Sequence, residues 1–201
     1  MKVNLQPDFP VTNDAAKEAT GKTLDQWFAE LDAAEGLKIG RRECNQYLVK
    51  AGVEPWWCTT ISVEYEAHHK KTEKDGKLKG YFICSTKTIA APVERIYAAW
   101  TTSADLDQWL GAGSKINLTE GGTYENADGN KAEFKRIRQN KDLRFTWKAG
   151  DDSLVDMSVQ DKGNGKTYLL VNHDRIQTRA EADGLRAAWA NAIDQLKKLV
   201  E

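Results

Sequence analysis

The chain has 201 residues, with 29 Lys and Arg against 30 Asp and Glu, a formal net charge of −1 and 40% hydrophobic residues. This balance excludes a disordered chain and fits one large globular domain, or one domain with a small companion. It also supplies no basic excess for a nucleic-acid partner, and no apolar run approaches the roughly 18–20 residues of a membrane span.

In chain order, the first 75 residues read as short helices. Asn13 and Asp14 are placed to cap a segment that Gly21 ends. Thr23-Leu24-Asp25-Gln26 has the form of a capping box, and Leu24, Trp27, Phe28 and Leu31 then share one helical face. Arg41 to Ala51 is expected as a third helix, with Cys44, Tyr47 and Leu48 on its apolar side and Gly52 as its stop. Pro55 suits a first helical turn, and Trp57, Ile61 and Tyr65 recur every four residues toward His68. Lys70 to Lys79 (KKTEKDGKLK) holds one apolar residue, Leu78, and contains Asp75-Gly76. It marks a solvated linker or turn, and with it a boundary between a small helical domain (1–75) and a larger one (79–201).

Beyond that boundary the pattern changes. Gly80 to Ile89 is rich in β-branched and aromatic residues and reads as a strand. Pro92 opens a helix with Val93, Ile96, Tyr97 and Trp100 along one stripe, and a second short helix covers about 104–110. From Ser114 to Ile176, turn signals recur at Gly121-Gly122, Asp128-Gly129, Asn140-Lys141-Asp142, Gly150-Asp151-Asp152 and Gly163-Asn164-Gly165. Regular spacing of this kind predicts an antiparallel meander. Leu143, Phe145 and Trp147 alternate with polar residues, as do Val155, Met157 and Val159, and then Leu169, Val171 and His173. Thr178 to Val200 reads as a long helix with Leu185, Trp189, Ala192, Leu196 and Leu199 on one side. The economical arrangement is α+β: an antiparallel sheet curled around the terminal helix, with a gap lined by inner strand residues.

Several segments then resemble known families. Ser85 to Thr101 (STKTIAAPVERIYAAWT) resembles the opening strand and helix of the SRPBCC, or START-like, superfamily, in the branch related to the C-terminal domain of the activator of heat-shock protein 90 ATPase. Asp107-Gln-Trp-Leu110, Gly121-Gly-Thr-Tyr124, Leu143-Arg-Phe-Thr-Trp147 and Gly165 to His173 match in order, and Gly184 and Trp189 follow in the last helix. Family members more often place that Gly and Trp side by side. The N-terminal segments Thr20 to Trp27 and Glu54 to Glu66 resemble a small bacterial domain of unknown function, the DUF4287 type. The resemblance implies a helix-grip fold with a cavity, a bacterial source, and one of three roles: hydrophobic ligand or lipid binding, polyketide cyclisation, or chaperone assistance.

The candidate ligand-binding residues are Trp100, Trp109, Phe145, Trp147, Val155, Met157, Leu169, Val171, His173 and Trp189. Strand parity puts most of them on the inner face, and the expected pocket lies between the sheet and the C-terminal helix with His173 near its mouth. The indoles either line this cavity or fill it. His173 either meets a ligand or bonds a loop carbonyl, and Lys87 either reaches an anionic ligand or snorkels from its strand. His68-His69 near Glu64 and Glu66 lack the pattern of a metal site, so a solvated helix end is expected and no metal or cofactor. Cys44, Cys58 and Cys84 are odd in number and widely spaced, which reads as small buried thiols in a reducing compartment. Residues 1–20 have no apolar signal core, and a cytoplasmic location is expected. The function expected first is non-enzymatic binding of a hydrophobic small molecule or lipid. A chaperone-assisting interaction module comes second, and a cyclase-like enzyme using His173 or Lys87 comes last.

Overall fold

Turn and cap chemistry decides where the first helices begin and end. In the computed structural model, which describes residues 1–5, 11–148 and 152–201, helix α1 (Asn13–Thr20) is capped by Thr12, one residue earlier than expected, and stops at Gly21 with φ 81°. Helix α2 (Leu24–Ala33) carries the full capping box, Thr23 accepting from Gln26 N while the Gln26 side chain accepts from Thr23 N. Helices α4 (Arg41–Lys50) and α5 (Pro55–His68) follow, the latter with Pro in its first turn. Between α2 and α4 lies a one-turn helix, α3 (Gly36–Ile39), that the periodicity did not reveal. A side chain at Gly36 would meet Leu31 O and the Tyr65 ring at 2.9 Å, so only glycine lets this turn approach α5.

These helices, with residues up to 81 and 177–180, form one of two units into which the chain divides. Its core joins Trp27, Phe28, Leu31, Leu48, Trp57 and Ile61 with the buried Cys44 and Cys58. Tyr47, expected on the apolar side, is instead exposed, and its hydroxyl bonds Glu30 at 3.2 Å. The charged stretch after α5 is a turn rather than a bare linker. Thr72 bridges Leu78, and Lys71 and Lys79 approach the buried Glu66, which also takes Arg41 Nε at 2.8 Å. Burying a carboxylate demands such partners.

The other unit comprises residues 1–5, 82–148, 152–176 and 181–201. Strand β1 (Tyr81–Ile89) leads to helices α6 (Val93–Thr101) and α7 (Ser103–Trp109). Strands β2 (Lys115–Ile116), β3 (Thr123–Glu125), β4 (Lys131–Arg138), β5 (Asp142–Trp147), β6 (Ser153–Gly163) and β7 (Lys166–Ile176) then precede the long helix α8 (Arg179–Val200). The sheet order is β1-β7-β6-β5-β4-β3-β2, and each neighbouring pair from β2 to β7 is antiparallel. Asn164 and Gly165 both have positive φ between the paired Gly163 and Lys166, the two-residue turn that matches strand twist. Of the expected turn at Gly150-Asp151-Asp152, Gly150 and Asp151 lie outside the described residues.

Alternation sorts the two faces of the sheet. Leu143, Phe145, Trp147, Val155, Met157, Leu169 and Val171 are all buried. On the opposite face, Arg144 forms a two-pronged pair with Asp156 at 2.7 and 2.8 Å, and Asp142 binds both Arg136 and Arg138. Helix α8 packs on the inner face through Trp189, which is fully buried. Cys84, expected as a buried thiol, points outward from β1 and is exposed.

Candidate functional site

Four indoles and one imidazole occupy the middle of the sheet unit. Trp189 stacks on Trp100 at 5.8 Å and lies 5.7 Å from Trp147, while Trp100 also touches Trp109 at 4.7 Å. Trp109 fixes its ring by donating to Ala99 O at 2.8 Å. Large flat side chains therefore fill the space that the small residues Ala188 and Ala192 leave beside the sheet.

His173 is part of that filling and not of a cavity mouth. It is fully buried on the inner face, where a place near a pocket mouth was expected. Trp189 Nε1–H donates to its Nδ1 at 3.1 Å, and its Nε2 lies 2.7 Å from Ser153 Oγ. An indole nitrogen only donates, so Nδ1 must be bare, and the ring proton sits on Nε2, directed at the Ser153 oxygen. A histidine that activates a hydroxyl works the other way round, accepting at one nitrogen and donating from the second to an orienting group. Burial pushes its pKa down to about 3, so it stays neutral. This geometry opposes the cyclase-like role for His173. Lys87 likewise does not wait for a ligand, for it pairs with Asp194 at 2.6 Å.

An apolar void does exist, but toward the other end of the sheet. It lies between α6, α7 and the strands β2 to β5, lined by Trp100, Leu106, Leu110 and Ile116 together with Tyr124 and Ala132. Phe134, Leu143, Phe145 and Trp147 complete the walls. Its volume is about 20 Å³, room for about one water. Of the residues expected to bind a ligand, Trp100, Phe145 and Trp147 thus meet at one void. Val155, Met157, Leu169, Val171, His173 and Trp189 belong to the packed core beside it, and Trp109 supports Trp100 from behind. Among the described residues, His173 sits in this packed core between Ser153 and Trp189, not near the mouth of a pocket between the sheet and the C-terminal helix. Leu106, Leu110, Ile116, Tyr124, Ala132, Phe134 and Leu143 line the void but were not among the expected ligand-binding residues. Ala132 and Phe134 alternate with Lys131, Glu133 and Lys135, a signal of the same kind that singled out β5.

The void has one polar peculiarity. The indole nitrogens of Trp100 and Trp147 are buried and have no hydrogen-bond partner among the described residues. Both residues line the void. A buried donor left unmade costs about 1–3 kcal/mol. The remaining polar groups of the wall are satisfied: Tyr124 Oη meets Ser114 Oγ at 3.2 Å and takes Asn126 Nδ2 at 2.9 Å. Burial raises the Tyr124 pKa, so it stays a neutral phenol.

The His68-His69 pair shows no metal geometry. His68 packs on Phe28, His69 Nε2 lies 3.0 Å from Asp32 Oδ1, and Glu64 accepts the Tyr81 hydroxyl at 2.7 Å. Asp32 also takes the Tyr65 hydroxyl at 2.7 Å, and burial and this carboxylate push the Tyr65 pKa up to about 12.

An antiparallel sheet of seven strands with a long C-terminal helix on its inner face defines the START-like, helix-grip class. Within it, the chain belongs to the family of Activator of Hsp90 ATPase homolog 1-like proteins, whose model matches residues 90–201. Solved structures agree on the fold. An HSP90 activator from Plasmodium falciparum has a TM-score of 0.55 and 19% identity, over 60% of this chain and 96% of that one. The Aha1 dimer from Colwellia psychrerythraea gives 0.55 and 20%, over 60% and 96%. CalU16 from Micromonospora echinospora gives 0.54 and 21%, over 60% and 74%. Among curated proteins, no significant relative matches the chain.

Proposed function

We propose that the sheet unit binds a small, uncharged, largely apolar molecule carrying a hydrogen-bond acceptor, at the void between α6, α7 and β2–β5, without chemistry of its own. The observation that carries this is that Trp100 and Trp147, both lining this largely apolar void, have indole N–H groups with no hydrogen-bond partner among the described residues. A carbonyl or ether oxygen satisfies such donors where a hydrocarbon cannot. Ligand sites commonly span about 300–1,000 Å³, so the state described is a closed one and the walls part to admit a ligand. The test is native mass spectrometry of the purified full chain with solvent extraction, followed by titration with N-phenyl-1-naphthylamine read by energy transfer from the indoles. Saturable binding that Ala132→Phe abolishes, in a variant with an unchanged fold, supports the reading. Absence of both a co-purified neutral ligand and probe binding overturns it.

The small void itself favours a second reading, in which the fold works through its surface as a chaperone-assisting module. The likeness to an HSP90 activator gives that partner class. Stimulation of an Hsp90 ATPase by the purified chain, undiminished in Ala132→Phe, selects this reading over the first. Buried Cys44 and Cys58 and the exposed, unpaired Cys84 accord with a cytoplasmic setting. Among the described residues, no helix is long and apolar enough to cross a membrane. The helical part is taken as an accessory domain of the DUF4287 type.

A further inference from the structure

Residues 1–5 belong to the sheet unit rather than to the helices that follow them in sequence. Two glycines make their seat. Gly184 lies inside α8, where glycine costs about 1 kcal/mol against alanine and so requires a reason. The reason is Asn4: a Cβ on Gly184 would stand 2.6 Å from Asn4 O and 3.3 Å from Val3 Cγ1. At the other end, a Cβ on Gly111 would stand 2.8 Å from the Met1 nitrogen and 2.6 Å from Asp128 Oδ2. The Met1 amino group donates to Asp128 Oδ2 at 2.8 Å, and Met1 is buried.

Both anchors lead to the walls of the void. Gly111 follows Leu110, a lining residue, and Asn126 ties this wall together by donating to Leu110 O and Tyr124 Oη. Ala127 N bonds Ala112 O at 2.9 Å, so the loop after α7 and the β3–β4 turn form one piece. Gly184 lies five residues before Trp189, which packs on the lining residues Trp100 and Trp147. The short segment therefore links the α7–β2 wall to the helix that backs the opposite wall.

We propose that residues 1–5 are a latch that holds the void closed, and that their release admits the ligand; this rests on the ligand-binding reading above. A closed latch lowers the apparent affinity by the fraction of molecules that are open. Gly184→Ala in the full chain tests it, because alanine favours the helix yet collides with the backbone oxygen of Asn4. Asp128→Ala loosens the other anchor independently. Trimming by an aminopeptidase reports the latch, because the Met1 amino group is held on Asp128 and Met1 is buried, and N-phenyl-1-naphthylamine titration reports the void. We expect trimming to quicken at least tenfold and probe affinity to rise at least fivefold in both variants. If trimming quickens while the probe binds as it does to the parent chain, the latch is refuted and the ligand reading stands. If trimming does not quicken in either variant, the seat of residues 1–5 is wrong and the latch falls with it. If no variant binds the probe, the ligand reading fails and takes the latch with it.

Discussion

Acid should weaken the sheet unit through His173 before the carboxylates take part. Its pKa, ordinarily 6.5, is pushed down to about 3 in the folded chain by burial. Between these values the unfolded chain takes up a proton that the folded chain refuses. The contribution is fully present above about pH 6.5 and is lost as the pH falls, by about 1.4 kcal/mol per unit. At pH 4.5 the loss is about 3 kcal/mol, a large share of a typical stability of about 5–15 kcal/mol. Asp105, held low by Arg95, and Asp142, where Arg138 and Arg136 outweigh burial, add losses only near and below the ordinary carboxylate range. The window from pH 6.5 to 4.5 therefore isolates histidine. Comparing the parent with a variant at this single position isolates the contribution of residue 173. In His173→Asn, the amide oxygen can still accept from Trp189 but nothing titrates. Urea denaturation at pH 7.5 and 4.5 should show the parent losing about 3 kcal/mol more than the variant. Equal losses would refute the argument that His173 is buried neutral.

Three further outcomes are expected. Trp189→Ala should cost about 3–5 kcal/mol in chemical denaturation, the range for a buried aromatic, because it empties the centre of the indole cluster and strips His173 Nδ1 of its donor; a loss under about 1 kcal/mol would place Trp189 outside the core. Asn164→Ala should cost about 1–2 kcal/mol, since its φ of 53° is strained for alanine, whereas Asn164→Gly should be tolerated; equal stability of the two variants would contradict the turn. Residues 79–201 expressed alone should keep a cooperative thermal transition, read by near-ultraviolet circular dichroism, and a broad non-cooperative melt would count against the proposed division.

Much of the fold was legible because local chemistry announced it: the Thr23 capping box, the Gly21 stop, Pro55 in a first turn, and Asn164-Gly165 in a hairpin. Alternation in β5, β6 and β7 named the buried face correctly, down to His173. The one-turn α3 was invisible because four residues carry no periodicity, and its cause is a contact between Gly36 and Tyr65 that sequence distance conceals. Tyr47 shared a helical face with Leu48 and Cys44, but its hydroxyl found Glu30, and the ring stayed outside.

The void was misplaced for a different reason. Period-two alternation assigns a residue to a face of the sheet, but says nothing of what stands opposite it. Along β6 and β7 the facing helix brings Trp189, whose ring closes the gap and whose N–H claims His173 Nδ1. Along β4 and β5 the helical side of the void is lined by Trp100, Leu106 and Leu110, and none of its lining residues comes from α8. Space survives beside the strands that Trp189 does not cover and disappears where its ring packs. The pairing of strand against helix decides between these outcomes, and it is a property of the third dimension. Trp100 and Trp147 line the space that remains and carry indole donors with no partner among the described residues, which is why the binding proposal rests on those two residues and not on His173.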